Sequence, residues 1–211
     1  MRIIDVPQGS EEWLAARAGK VTASRMSDLL SRSKDRKSEG AGRRNYRAQL
    51  VCEILTGRPQ ETTFMSKAME GGIELEPYAN GSYEVAKNVL VDKVGIVLHP
   101  RIERAGASPD GLVGRDGMVQ FKCPYAATHI SYLLSKEVPT DYQPQMLWEM
   151  ACAEREWCDF VSYCPSLPER LQLFVIRFSR DDARIAQLEA EVESFLREVD
   201  QTIESLQRLA A

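Results

Sequence analysis

The feature that most constrains the fold of this 211-residue chain is a change of hydrophobic period along its length. Apolar side chains recur at helical spacing in the early segments and over the last thirty residues, whereas short alternating, β-branched runs occupy the centre. Strands are predicted at 89–98, 118–122, 157–163 and 171–178. Helices are predicted at 11–17, 24–30, 46–55, 65–85, 139–153 and 180–210. Helices on both sides of a small central sheet predict an α/β or α+β domain.

The last predicted helix, 180–210, has a clear beginning and one apolar face. Ser179 is expected to cap it, with Asp182 three residues on in a capping-box arrangement. The apolar face consists of Ile185, Leu188, Val192, Phe195, Val199 and Leu206. A stripe of three heptads favours packing on its own domain over a coiled coil.

Composition excludes several classes of protein. A hydrophobic content of 44% is too high for a chain disordered throughout, and no run reaches the roughly 18 apolar residues of a membrane span. The length suits a single domain, 1–211. Five cysteines without a C-x-x-C pair are typical of reduced thiols in a cytoplasmic protein, and buried structural thiols are favoured over a zinc site.

The charge is unevenly distributed. The net charge is −4, which argues against a protein that coats nucleic acid. Residues 31–47, however, hold seven basic and two acidic side chains, for a net charge of +5. This segment is expected to be a mobile basic loop entering a helix. It could bind phosphates, or it could be solvated and bind nothing.

The segment from Gly106 to Pro124 carries the chemistry. Hydrolysis of a phosphodiester needs a divalent metal held by carboxylate oxygens and a lysine beside the attacking water. Asp110 follows Ser-Pro, and a glycine-rich turn leads to a strand that presents Gln120 and Lys122 on one face. The spacing matches the PD-(D/E)xK nuclease motif. Alone, it could also be an ordinary β-turn before a strand that ends in lysine.

Four ordered blocks make the match far more specific. They are Gln8 to Ser24 with Trp13, Arg17 and Thr22; KAMEGGIELEP with Glu76; SPDGL with QFKCP; and YQPQMLW with Gln143 and Gln145. Together they resemble the phage-lambda-type alkaline exonuclease family, also called the YqaJ viral recombinase family. The resemblance covers roughly residues 8 to 165. It implies a restriction-endonuclease-like α/β fold, in which a central mixed sheet is flanked by helices.

The resemblance implies a metal site and its neighbours. Asp110 is expected to bind Mg²⁺ directly, with Mn²⁺ as a substitute, and Glu76 to join through water. The backbone carbonyl of Phe121 would also face the metal. Lys122 is expected beside the attacking water, and Gln143 is expected to help hold the active site.

The resemblance also implies contacts to DNA. Arg17, Ser24 and Ser108 match a pocket for the 5′-phosphate, and a guanidinium fork suits a phosphate. Lys67 and Met69 match a segment near the cleavage point, where an apolar side chain separates bases. In the basic loop, Arg43 and Arg44 are the candidate phosphate contacts.

One position departs from the family. Gln120 stands where the family has glutamate. An amide keeps the shape of a carboxylate but loses its charge and offers one oxygen, so metal binding and hydrolysis should both weaken. A single acid-to-amide change amid intact motifs favours an engineered inactivation. A natural glutamine is the alternative.

The leading expectation is a Mg²⁺-dependent exonuclease that degrades one strand of duplex DNA from 5′ to 3′, releases mononucleotides and leaves a 3′ overhang. The resemblance further implies a ring-shaped homotrimer and a single-strand annealing protein as partner. Two alternatives are a catalytically silent DNA-end-binding module with native Gln120 and a related nuclease with endonuclease activity.

Overall fold

The computed structural model describes residues 1–33, 38–60 and 67–210, without the side chains of 67–70. The strands are β1 (Arg2–Ile4), β2 (Val21–Thr22), β3 (Val91–Asp92), β4 (Ile96–Leu98), β5 (Ala105–Ala107), β6 (Gly111–Val113), β7 (Gly117–Lys122), β8 (Trp157–Tyr163) and β9 (Leu173–Ser179). The helices are α1 (Glu11–Arg17), α2 (Met26–Leu29), α3 (Ala41–Thr56), α4 (Lys67–Lys87), α5 (Ala126–Ser135), α6 (Gln143–Ala153) and α7 (Asp182–Ala210).

Two mixed sheets organise the described residues. The four-stranded sheet has the order β1-β4-β5-β2, and the five-stranded sheet has the order β3-β6-β7-β8-β9. In the larger sheet β7 and β8 are parallel, whereas β6–β7 and β8–β9 pair antiparallel. This α/β arrangement confirms the predicted fold class. The predicted pair of strands at 157–163 and 171–178 is also confirmed, as β8 and β9.

The predicted strand at 89–98 is two strands in two different sheets. The chain leaves the larger sheet after β3 and enters the smaller one at β4. Between them, the backbone of residues 4–6 packs so closely on Gly95 that a Cβ there would lie 2.3 Å from the carbonyl oxygen of Ile4. Alternating β-branched residues do not reveal such a crossing, because both halves have the same period.

The two faces of β7 pack in different layers. Met118 joins the main core, which includes the apolar residues of α6 and α7. Val119 and Phe121 point the other way and pack with Tyr83 of α4. Since side chains alternate along a strand, Gln120 and Lys122 lie on the Met118 face, toward α6.

The C-terminal helix packs on the domain through the predicted stripe. Five of its six predicted residues are buried, and Leu206 is 42% exposed. The predicted cap is wrong, because Ser179 ends β9 and the Asp181 carboxylate accepts from the backbone N–H of Arg184 instead.

The predicted loop at 31–47 is shorter than expected. Helix α3 begins at Ala41, so the arginines at 43, 44 and 47 are helical. Residues 34–37, which carry three of the basic side chains, lie outside the described residues. Ser24 lies within a 3₁₀ turn, Ala23–Arg25, that precedes α2. None of the described helices combines the length and apolarity needed to cross a membrane.

Candidate active site

The β6–β7 hairpin brings Asp110, Gln120 and Phe121 together. Asp110 immediately precedes β6, and the hairpin pairs Gly111 with Val119. Its Oδ2 accepts from the Phe121 backbone N–H at 2.6 Å and from Gln120 Nε2 at 2.9 Å. The motif residues therefore lie together as their spacing predicts. Asp110, however, precedes strand β6 and does not end a strand, so the tight turn of the hairpin lies between β6 and β7.

Asp110 is a buried carboxyl group that lies near both a basic and an acidic side chain. Burial raises its pKa above the usual range, Lys122 opposes this, and Glu76 raises it further. Lys122 Nζ lies 5.0 Å from the centre of the Tyr142 ring, at the start of α6. The ammonium thus lies at the end of β7, close to the start of α6.

Glu76 comes to the same cleft from α4. The cleft has a volume of ≈ 710 Å³ and is lined by Glu76, Asp110 and Lys122 among others, a size that suits a small ligand. Glu76 Oε1 lies 2.7 Å from Lys93 Nζ. Both partners are exposed enough that this ion pair would exchange readily for another cation.

Arg17, Ser24 and Ser108 lie together in the structure, and Ser108 is two residues before Asp110. The guanidinium of Arg17 donates to both hydroxyls at 3.3 Å. It also donates to Thr22 Oγ1 at 3.3 Å and stacks on Trp13 at 4.1 Å. Among the described residues it forms no salt bridge, so hydroxyls and a ring are its partners. A charged fork held this way can bind an anion.

Gln143, which is expected to help hold the active site, bonds to two neighbouring parts of the fold. Its Nε2 donates to the Val138 carbonyl and its Oε1 accepts from Arg184, which ties it to the loop before α6 and to α7. Gln145 donates instead to Glu149 Oε1 at 2.8 Å. Two residues apart on a helix, the glutamines face different directions, and only Gln145 joins the polar group near Asp110.

Glu149 is the site residue that the sequence analysis missed. It lies on α6 and is 1% exposed. Burial, and then the nearby Asp110, raises its pKa to about 8, while Gln145, Lys122 and Arg17 lower it. The available signal was a lone acid inside the apolar run MLWEMACA.

The predicted DNA contacts in α3 differ in their surroundings. Arg43 is 4% exposed and donates to Glu198, Glu191 and the Leu29 carbonyl. It is therefore directed into the protein and not toward a ligand, which corrects its expected role. Arg44 is exposed. Lys67 and Met69 begin α4, and their side chains lie outside the described residues.

The residues present partly fit a divalent metal. Among the described residues no group of three or more His, Cys, Asp or Glu side chains is placed to hold an ion. Asp110 offers a carboxylate, and Gln120 Oε1 is buried with no hydrogen-bond partner. Oxygen donors suit a hard cation, but with glutamine at 120 the site is one carboxylate short.

Comparison with known proteins decides the family. The model of the YqaJ-like viral recombinase domain matches residues 12–156, which contain every motif residue of the cleft. The chain belongs to this family. No curated protein matches it in sequence.

Solved structures place this YqaJ-like chain among exonucleases. It is 46% identical to LHK-Exo in complex with dAMP, with a TM-score of 0.87 over 95% of this chain and 98% of that chain. It is 45% identical to the alkaline exonuclease LHK-Exo from Laribacter hongkongensis, with a TM-score of 0.86 over the same shares. A phage related exonuclease from Haemophilus somnus 129PT shares the fold at 16% identity, with a TM-score of 0.72 over 89% and 96% of the two chains. These likenesses support a DNA exonuclease role for the chain.

Proposed function

We propose that the chain acts on ends of duplex DNA as a Mg²⁺-dependent 5′-to-3′ exonuclease, and that Mn²⁺ can replace Mg²⁺. The observation that carries this is the adjacency of two features: a hairpin with Asp110 and Lys122, and the guanidinium of Arg17, which donates to Ser108 two residues before Asp110. One suits hydrolysis of a phosphodiester and the other suits a terminal phosphate. Their contiguity through Ser108 and Asp110 supports a mechanism in which the end of a strand binds next to the scissile bond.

Each residue has a distinct task in this mechanism. Asp110, the Phe121 carbonyl and, through water, Glu76 would hold the metal, which when bound polarises the phosphoryl oxygen and acidifies the attacking water. Lys122 orients that water and stabilises the negative charge that develops in the transition state. Arg17, with Ser24 and Ser108, grips the 5′-phosphate and fixes which bond lies beside the metal. Gln145 and Glu149 border this set from α6.

The remaining proposals follow from the family likeness. Release of mononucleotides from the 5′ end leaves a 3′ overhang, which a single-strand annealing protein would coat for recombination. A homotrimeric ring would let the surviving strand leave through a central channel and keep the enzyme on its substrate. Arg44 and the side chains of Lys67 and Met69 are the candidate further contacts to DNA. We further expect a cytoplasmic protein of one domain, 1–211.

Gln120 favours a second candidate function, a DNA-end-binding protein that cuts little or not at all. Whether glutamine is native or introduced, we expect cleavage by this chain to be severely slower than with glutamate at 120. One observation argues against a protein that is naturally inactive. The cleft still contains Asp110, Glu76 and Lys122, and a DNA-binding module without catalysis would need none of these residues.

The substrate itself tests the exonuclease proposal. We expect the Gln120→Glu variant with Mg²⁺ to degrade linear duplex that carries 5′-phosphates, to degrade 5′-hydroxyl duplex more slowly and to leave closed circular duplex intact. Removal of the metal with EDTA should stop release. Linear products from closed circles would favour an endonuclease. If the parent chain and Gln120→Glu both bind DNA ends tightly and neither releases nucleotides, the result would favour the catalytically silent module.

A further inference from the structure

Glu149 is a buried carboxylate whose hydrogen bonding is incomplete. It is 1% exposed, and Oε1 accepts from Gln145 Nε2 at 2.8 Å. Oε2 is buried and has no hydrogen-bond partner among the described residues. A buried carboxyl oxygen without a partner is unfavourable, so the position needs an explanation beyond packing.

Its position points toward the metal motif. Met118, on the face of β7 that also carries Gln120 and Lys122, shares a core with the apolar residues of α6, and Lys122 Nζ lies 5.0 Å from the centre of the Tyr142 ring at the start of that helix. Burial raises the pKa of Glu149, the nearby Asp110 raises it further and Lys122 lowers it. The helix thus brings one more acid to the hairpin, from the side opposite to α4 and Glu76.

The hydrogen bonding of Gln120 is also incomplete. Its Nε2 donates to Asp110, whereas Oε1 is buried and has no hydrogen-bond partner in the described parts of the chain. Two unpaired, fully buried oxygens, on Gln120 and Glu149, therefore belong to the one site that lacks a carboxylate. A divalent cation is a partner that can satisfy several oxygens at once and offset the negative charge of Asp110 and Glu149.

We propose that Glu149 supplies the carboxylate that this chain lacks at position 120, and that with Asp110 it holds the divalent cation. This inference rests on the proposed function, because it concerns the metal of that reaction. It assigns to α6 a ligand that the hairpin motif does not contain. The carboxylate count of the site then returns to that of a motif with an acid at 120.

Metal binding without DNA tests this directly. Mn²⁺ affinity is measured at pH 8.5 from the electron paramagnetic resonance signal of the free ion, for the parent chain and for Glu149→Gln. We expect Glu149→Gln to weaken Mn²⁺ binding about tenfold or more. Adding the acid back in Gln120→Glu/Glu149→Gln should recover the parent affinity. Mn²⁺ affinity of Glu149→Gln within twofold of the parent would overturn the inference and leave Glu149 as a protonated core residue.

Controls separate this result from a loss of folding. Glu189→Gln neutralises a half-buried carboxylate that binds Arg101 and His99, away from the cleft, and should leave Mn²⁺ affinity unchanged. Circular dichroism and a thermal melt establish that each variant is folded. If Glu149→Gln does not fold, Glu149→Met takes its place, since an apolar side chain removes the cost of the buried acid.

The inference and the proposed function fail in different ways. If Gln120→Glu releases nucleotides while Glu149→Gln binds Mn²⁺ as the parent does, Glu149 is not a ligand and the function stands. If neither the parent nor Gln120→Glu binds Mn²⁺ or releases nucleotides, the function fails and the inference fails with it.

Discussion

At the scale of single residues, the position of Arg17 decides how DNA ends would be chosen. In the part of the chain that the structure describes, the bonding partners of this guanidinium are hydroxyls and one indole ring, none of which is charged. Burial lowers its pKa, yet a guanidinium stays protonated at any physiological pH. The charge is therefore permanent, and its strength toward a phosphate is raised by partial removal from water.

Loss of this guanidinium should remove the preference for phosphorylated ends. In a Gln120→Glu background, Arg17→Ala should slow release from 5′-phosphorylated duplex by about 10- to 100-fold, the equivalent of about 1.5 to 3 kcal/mol for hydrogen bonds to a charged group. Release from 5′-hydroxyl duplex should change little. Arg17→Lys is the matched control that keeps the charge without the fork, and it should recover part of the preference. Equal losses on both substrates would contradict a phosphate pocket.

Glu149 should make stability depend on pH. Its carboxyl has a pKa of about 8 when folded, against 4.5 for an unperturbed glutamate. Between these values the folded chain holds a proton that the unfolded chain has lost, so the free energy of unfolding should fall with rising pH by about 1.4 kcal/mol per unit. Urea unfolding with EDTA should give a flatter profile for Glu149→Gln. Parallel profiles for parent and variant would contradict the shift.

Sequence predicted the residues that spacing alone can place. Asp110, Gln120 and Lys122 meet because a hairpin and a two-residue period leave little freedom. Gln143 and Glu149 are residues whose surroundings spacing alone could not predict. The orientation of α6 is set by its packing on β5 and α7, so a helical pattern could not tell which glutamine would bond to Glu149. It also could not tell that the acid in its apolar run lies beside Asp110.

At the scale of elements, ion pairs join the basic segment, residues 31–47, to helix α7. Arg43 and Arg47 of α3 both reach Glu198 of α7, and Arg32 reaches Glu191. Some of the arginines that the sequence indicates as candidates for DNA binding therefore form ion pairs within the protein. A run of basic residues shows net charge, but only the packing of α7 shows which arginines remain available.

Arg43 and its neighbour Arg44 should therefore behave differently. Arg43→Ala should lower the free energy of unfolding by about 1 to 2 kcal/mol, because the bonds of the buried guanidinium to Glu198 and the Leu29 carbonyl are lost, whereas Glu198 keeps Arg47 and Glu191 keeps Arg32. It should leave the salt dependence of DNA binding unchanged. Arg44→Ala should be neutral in stability and, if Arg44 meets a phosphate, should reduce the slope of log affinity against log salt by about 0.9. Chemical unfolding and a salt titration measure the two effects. A reduced slope for a folded Arg43→Ala would contradict its internal role.

The elements themselves were predicted where local signals agree. β8 and β9 combine β-branched residues with a Pro/Ser turn, and Gly57 ends α3 with a φ of 65°, as a C-terminal glycine should. The failures are tertiary. Residues 89–98 divide between sheets at Gly95, and Asp181 replaces Ser179 as the cap, because the antiparallel pairing of β8 and β9 continues to residue 179.

At the scale of the whole molecule, the net charge of −4 is less informative than its distribution. Positive charge is concentrated at residues 31–47 and in placed residues such as Arg17 and Lys122, whereas Asp110 and Glu76 are carboxylates at the cleft. A body with excess negative charge disfavours indiscriminate binding to DNA. Such a distribution suits an enzyme that moves along DNA and acts at its end.

We propose from the family likeness that three chains form a closed ring in solution. Sedimentation equilibrium at micromolar concentration should then give a mass of three chains. A closed ring retains the substrate and so supports processive release. In the Gln120→Glu background, dilution with unlabelled duplex after initiation should leave release from labelled duplex largely unaffected. A monomer at all concentrations, together with release that stops at once on dilution, would contradict the ring.

The most direct measurement is Mg²⁺-dependent release of mononucleotides from 5′-phosphorylated duplex, before and after Gln120→Glu. We expect slow or no release by the parent and a rise of at least a hundredfold when the acid is restored. We also expect Lys122→Met to abolish that gain, because the water loses its positioning group. If a folded Gln120→Glu variant releases nothing with Mg²⁺ or Mn²⁺, the hairpin of Asp110 and Lys122 is not a nuclease centre.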